Sequence, residues 1–217
     1  MFNLCVGWLN QEAVVQMTPI QRRIYNAAAC LFAEKGITQI GISDLARAAG
    51  VSRATVHSEV GGVEDLFERV ASQQGREMQK HLSSSFLAPE DPAECLANCV
   101  RIFIYHAHVD RQWGSFISRF ALGDVSLREL FLSHFSMGVR RGLEEGRYEF
   151  GRSQSASVIS LIAGATLGAM FMVREGVDTW RGAGSETAEL LLRALGVSEL
   201  EARELATRKL PALSCEV

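Results

Sequence analysis

The chain has 217 residues, 47% of them hydrophobic and 22% charged, with only 4 prolines and a formal net charge of -3 at pH 7. That is enough apolar material for one large domain or a small domain fused to a larger one, and it argues against a chain disordered over much of its length. The near-balanced charge argues against a strongly basic nucleic-acid coat. Five cysteines, an odd number, and no basic segment running into an apolar one at the N-terminus argue against a secreted disulfide framework and for a reducing, cytoplasmic setting.

Apolar residues recur at spacings of three and four rather than in alternation, so an all-α fold is predicted. Residues 1–16 match nothing that follows. Met17, ahead of Thr18-Pro19 with its cap-and-proline pattern, is a second candidate start, and the segment before it is either a start-site artefact or a short extra helix. A first helix is predicted over 19–35, with Ile20, Ile24, Ala27, Leu31 and Phe32 inward and Gly36 as its stop. Ser43 is read as the cap of a second helix that buries Leu45, Ala46 and Ala49 and ends at Gly50. Ser52 is read as the cap of a third, with Val56 and Val60 inward. Gly61-Gly62 breaks the pattern, and a fourth helix is expected from about Val63 to Leu82, with Glu64 and Asp65 in its first turn. The serine- and proline-bearing run SSSFLAPEDP at 83–92 is the best internal boundary, dividing a domain at 17–82 from a larger helical one at 83–217. Further helices are expected near 92–108, 111–122, 125–146, 154–177, 185–195 and 198–208.

Two short helices joined through a glycine at a tight turn make a helix-turn-helix, in which the second helix enters the DNA major groove while the first braces it. Small Ala46 and Ala49 allow close approach, Gly50 can take the left-handed conformation, and Val51 fills the corner. The outward surface of the third helix is then Arg53, Ala54, His57 and Ser58. The stretch RRIYNAAACLFAEKGITQIGISDLARAAGVSRATVHSEVGGVEDLF resembles the TetR family of transcriptional repressors over about residues 18–70. The shared features are Phe32-Ala33-Glu34-Lys35-Gly36, Ile42-Ser43-Asp44-Leu45-Ala46, Ala49-Gly50-Val51-Ser52 with Thr55, and Glu64-Asp65-Leu66. The resemblance implies a homodimer that binds a palindromic double-stranded DNA operator through its N-terminal domains, and a C-terminal domain that dimerises and holds a small effector.

On this reading the DNA-binding residues are Ser43, Arg47, Ser52, Arg53, Ala54, Thr55, His57 and Ser58. Arg53 is the base reader, because a guanidinium can take both O6 and N7 of guanine. Arg22 and Arg23 add positive charge, and the helix starts at Ser43 and Ser52 offer backbone N–H groups to phosphates. The chain departs from the family's pattern where a tyrosine is common (His57), where a core phenylalanine is common (Val60) and where a phosphate-binding lysine is common (Val63). Residues 17–82 hold eight Lys/Arg against seven Asp/Glu, a net of +1, so weaker phosphate binding and greater reliance on a few base contacts are expected. Glu59 is read as an ion-pair partner of an arginine in the first or second helix. The alternative function is a family member that kept the fold as a dimeric ligand- or protein-binding module with little DNA affinity.

Residues 92–208 carry most of the aromatic load. The resemblance places an effector site between the helices of 92–146, with Phe103, Trp113, Phe116, Phe120 and Phe135 as its walls, and the lack of charge on these faces implies a mostly apolar or aromatic effector. Ser153 to Val173 is uncharged and approaches membrane-spanning length. Its serines and glycines instead suit a dimer core built from Gly164, Gly168, Leu191 and Leu195, and no membrane partner is expected. Cys95 and Cys99 are four apart with His106 seven further on, which raises a metal or thiol sensor. The spacing supplies only three ligands of mixed orientation, so no metal and no cofactor are expected. There is no phosphate loop, zinc-hydrolase motif or nucleophile elbow, and no enzyme is expected.

Overall fold

A computed structural model describes residues 17–83 and 91–210. The extension at 1–16 and most of the boundary at 83–92 lie outside the described residues. Among those described, ten α-helices and one short 3-10 turn follow in chain order, and no strand occurs. The all-α fold predicted from periodicity is observed.

Helix α1 (Pro19–Lys35) opens with a complete capping box: the Thr18 hydroxyl accepts from the Gln21 backbone N–H, and Gln21 accepts from the Thr18 N–H. It ends at Gly36, whose φ of 66° is the left-handed conformation that glycine adopts without steric cost. Its buried face is Ile24, Ala28, Ala29, Phe32 and Ala33, whereas Ile20 is exposed. The stripe is thus turned from the predicted one, because α1 is covered by α2, α3, α4 and α6 together. Helix α2 (Ile42–Ala49) buries Leu45, Ala46 and Ala49, and α3 (Arg53–Val60) buries Val56 and Val60, as predicted. The cap of α2 is a correction: Gly41, not Ser43, stands at the N-cap, and no side chain bonds the helix start. Ile42 packs against the core and brings the chain into helical geometry before Ser43 is reached.

Helix α4 (Leu66–Ser83) begins three residues later than expected, since residues 63–65 form a turn in which the Leu66 N–H donates to the Val63 carbonyl. Leu66, Phe67 and Val70 are buried. Helices α5 (Pro92–Val109), α6 (Arg111–Phe120), α7 (Val125–Glu144), α8 (Ser155–Arg174), α9 (Trp180–Ala194) and α10 (Glu199–Thr207) complete the chain. Helix α5 is the central strut, touching α6, α7, α8, α9 and α10, and most of its residues are buried. Asp91 caps it, accepting from the Ala93 N–H at 3.0 Å, and also takes both arms of Arg147, whose Nη2 reaches Glu201 at 2.7 Å. That network ties the start of α5 to the α7–α8 link and to α10. Helix α9 starts five residues before the predicted position, running through Gly182 and Gly184. Gly184 lies against the stem of Arg101 on α5, where an added Cβ would meet Arg101 only at ordinary van der Waals distance, 3.6 Å or more.

Candidate nucleic-acid interface and its connection to the C-terminal helices

The helix-turn-helix is built from local signals. Gly50 ends α2 in the left-handed conformation, φ 62°, and its N–H and that of Val51 return to the last turn of α2. Ser52 then caps α3: its Oγ accepts from the Thr55 N–H at 3.0 Å and lies 2.8 Å from the Thr55 hydroxyl. Thr55 is therefore half-buried and engaged in the cap, and Ser58 donates to the Thr55 carbonyl at 3.1 Å within the helix. Arg53, Ala54, His57 and Ser58 are exposed on the outer face. Neither the Arg53 nor the His57 side chain has a hydrogen bond or ion pair among the described residues. A solvated guanidinium at the start of α3 with no protein partner is free to bond a ligand.

The other predicted residues are distributed less simply. Ser43 is half-buried in the first turn of α2. Arg47 is exposed and pairs loosely with Asp44 at 3.5 Å, a carboxylate that Lys35 also approaches at 3.2 Å. Arg23 reaches the Gly50 carbonyl at 3.4 Å, beside the turn. Arg22, by contrast, lines a polar cleft of about 90 Å³ with Asn26, Gln74, Glu77, Asp110 and Trp113, and so faces α4 and α6 rather than the surface of Arg53. Glu59 is a further correction. Its carboxylate accepts from the Thr18 hydroxyl at 3.4 Å and its carbonyl from the Gln21 amide at 3.2 Å, and no arginine among the described residues pairs with it.

A residue that sequence reasoning passed over closes the far end of α3. Arg69, on α4, donates from Nη1 to the Val60 carbonyl at 2.6 Å and from Nη2 to the Gly62 carbonyl at 2.7 Å. Nothing local marks it, because an arginine nine residues beyond a helix end has no fixed relation to that end until the chain turns back.

The five predicted effector-site aromatics are all buried, but they fall into two groups. Phe103, Trp113 and Phe135 belong to one cluster with Phe131: Phe103 lies 6.3 Å from Trp113, 5.0 Å from Phe131 and 5.5 Å from Phe135. The rings of His134 and His106 border it, 5.7 Å from Phe103 and 4.4 Å from Trp113. The Trp113 indole N–H is buried without a partner, and Trp113 also lines the polar cleft that holds Arg22. Phe116 and Phe120 instead meet Phe67 of α4 at 5.8 and 5.0 Å, and Phe67 sits edge-on to Phe32 of α1 at 5.2 Å. These two residues form a joint between α6 and the DNA-binding helices. Alongside it, Arg119 of α6 donates to the Ala33 carbonyl at 3.0 Å, over the end of α1.

The predicted dimer residues also separate. Gly164 and Gly168 are exposed with open space beside them. Leu191 and Leu195 are corrected: they are 4% and 1% exposed and lie in the protomer core, because α9 turns this face toward α5, α8 and α10. The outward apolar groups are Leu161, Phe171 and Met172 on α8 and Leu190 on α9. Residues 152–174 are long and apolar enough to cross a membrane by length and composition, and one face of α8 is buried in the protein. Among the described residues no group of three His, Cys, Asp or Glu could hold a metal. Burial pushes the Cys99 thiol far above its ordinary value and raises Cys95 as well, which disfavours the thiolate that a metal or an oxidant requires.

Comparison with known proteins matches two stretches. Residues 24–70 fit the family described as "Bacterial regulatory proteins, tetR family", and residues 91–208 fit "Tetracyclin repressor-like, C-terminal domain". Among solved structures, RolR in complex with resorcinol is similar at 26% identity, covering 90% of this chain and 96% of its own, with a TM-score of 0.66. RolR without ligand is similar at 25% identity, with coverages of 89% and 100% and a TM-score of 0.58. The fatty acid degradation regulator FadR from Bacillus halodurans shares the fold at 19% identity, with coverages of 82% and 96% and a TM-score of 0.66. No protein in the curated comparison matches.

Proposed function

Because the chain belongs to the TetR family of bacterial regulatory proteins, we propose that it is a cytoplasmic one-component repressor that binds operator DNA as a homodimer and is released by a small aromatic effector. The observation that carries this reading is the free, exposed Arg53 at the capped start of α3, with His57 one turn further on the same face. A helix presented this way reads bases at its N-terminal end, and two copies in a dimer would engage successive major grooves about 34–36 Å apart. Exposed Arg47, Ala54 and Ser58, with the helix start at Ser52, complete the surface. The exposed row Leu161, Gly164, Gly168, Phe171 and Met172 runs along one side of α8 at spacings of three and four and would pack against its counterpart. This accounts for the apolarity of α8 with no membrane involved.

The effector is assigned to the Phe103, Trp113 and Phe135 cluster. Aromatic walls bordered by His106 and His134, beside a buried, unpartnered indole N–H, suit a single ring bearing a hydroxyl, the chemical type of the resorcinol bound by RolR. Occupancy would favour a dimer whose recognition helices are misplaced, a population shift passed through α6 and the Phe116–Phe67 joint.

The test is a fluorescence-anisotropy titration with duplex DNA from immediately upstream of the coding region and with a scrambled duplex, at two salt concentrations. Saturable, sequence-dependent binding is expected, with Arg53→Ala losing ~1–3 kcal/mol of preference, unevenly across operator sequences. Equal, weak binding to both duplexes would support the ligand- or protein-binding module instead. Added resorcinol should weaken operator binding, and tight resorcinol binding that leaves operator affinity unchanged would refute the coupling, since linkage is reciprocal.

A further inference from the structure

We propose that Arg69 is the positioning residue of the recognition helix, clamping the C-terminal end of α3 from α4 and so setting the angle at which Arg53 and His57 meet the groove. This rests on the operator-binding reading above. Helix α3 is only eight residues long, too short to hold its own orientation, and its last carbonyls have no partners from continuing helix. Two elements outside it supply them. The Gln21 amide of α1 takes the Glu59 carbonyl, and Arg69 takes the Val60 and Gly62 carbonyls through separate guanidinium nitrogens.

The forked geometry of arginine is the point. Nη1 and Nη2 reach carbonyls on either side of Gly61, whose φ of 68° and ψ of -132° turn the chain sharply out of α3. One cation therefore fixes both the end of the helix and the turn that leaves it, and a positive charge at this end also suits the helix dipole. No carboxylate pairs with Arg69 among the described residues, so the guanidinium is committed to these carbonyls. On the same turn of α4, two residues earlier, Phe67 is held between Phe32 of α1 and Phe116 and Phe120 of α6. This turn is thus fastened to the C-terminal helices on one side and to the recognition helix on the other. A displacement of α6 that Phe67 follows would reach α3 through Arg69.

The variants Arg69→Lys and Arg69→Met separate the clamp from charge. Lysine keeps the charge but its single ammonium does not reproduce the fork. Both variants are titrated with the upstream and scrambled duplexes at two salt concentrations, with melting temperature and amide exchange at residues 58–63 measured alongside. The expected result for Arg69→Lys is a loss of ~10-fold or more in preference for the upstream duplex. Its affinity for the scrambled duplex, salt slope and melting temperature should stay near wild type, while exchange at 58–63 quickens. Arg69→Met should lose the same preference. Unchanged preference and unchanged exchange in Arg69→Lys would overturn the proposal. So would equal losses on both duplexes in Arg69→Met, with the salt slope reduced by about one ion and Arg69→Lys normal, which would make Arg69 a phosphate contact. If the wild-type protein prefers neither duplex, the operator reading fails by itself, and the exchange data then decide the clamp: faster exchange in Arg69→Lys sustains it and unchanged exchange refutes it.

Discussion

Gly36 and Gly50 end successive helices in the same left-handed conformation, φ 66° and 62°, yet the structure assigns them different costs of substitution. At Gly50 an added Cβ would meet nothing within 4 Å, so Gly50→Ala should cost only the left-handed strain of a side-chain-bearing residue, ~1–2 kcal/mol. At Gly36 the same methyl would collide with the guanidinium of Arg119, whose Nη1 donates to the Ala33 carbonyl at 3.0 Å. The arginine is the flexible far end of an exposed side chain and would swing away, forfeiting a charge-assisted bond of ~1.5 kcal/mol, the lower end of the range because the residue is exposed. Gly36→Ala should therefore cost ~2.5–3.5 kcal/mol in the wild-type background and only ~1–2 kcal/mol in Arg119→Ala, where that bond is already gone. The assay is urea denaturation of the four proteins of this cycle at one fixed protomer concentration, since dimerisation makes apparent stability concentration-dependent. Sub-additivity of ~1.5 kcal/mol is the expected coupling. Additive costs would show that Arg119 does not cap α1, and would remove the hydrogen bond that joins α6 to that helix.

Two further outcomes are expected. Leu161→Arg, placed on a residue 52% exposed in the protomer, should halve the mass in solution by light scattering with little change in helicity; Leu191→Ala, in the core at 4% exposure, should instead cost ~2–5 kcal/mol of stability without creating monomers. The reverse pattern would place the dimer interface elsewhere. At Asp91, burial alone would raise the carboxyl pKa, but the bonds from Arg147 and the Ala93 N–H outweigh it and hold the value below the ordinary range. A pKa lower in the folded than in the unfolded state contributes stability above about pH 4 that is lost as the pH falls through the folded value. Asp91→Asn keeps a competent helix cap without the charge, so its stability should fall less steeply than wild type below about pH 4. Parallel curves would mean the ion pair contributes nothing.

The parts of this protein legible in its sequence are those set by neighbours along the chain. Gly36 and Gly50 as helix stops, Ser52 as a cap, and Val56 and Val60 as the inner side of α3 follow from glycine's conformational freedom, from a hydroxyl three residues ahead of an N–H, and from the 3.6-residue period. The exposure of Arg53 and His57 follows from the same period. Where the reading departed from the structure, contacts between distant segments decided the outcome. Ile42 docks into the core and moves the start of α2 back to Gly41. The glycines at 182 and 184 lie within a helix, because α9 is held along its length by packing on α5, α8 and α10.

The same holds at the sites. Arg22 turns toward the cleft beside Asp110, Glu59 bonds Thr18, and Phe116 and Phe120 join Phe67 rather than the Phe103 cluster. Leu190 faces outward while its neighbours Leu191 and Leu195 face in. Periodicity shows that one side of a helix is apolar, but which neighbour covers it depends on the packing of all the other helices. Arg69 is the clearest case: its role arises from a guanidinium fork meeting two carbonyls across a turn. The sequence by itself determined the helices, the glycine stops of α1 and α2 and the exposed reading face; only the tertiary structure decided where several helices begin and what holds that face in place, because those contacts join residues whose positions are set by the whole fold.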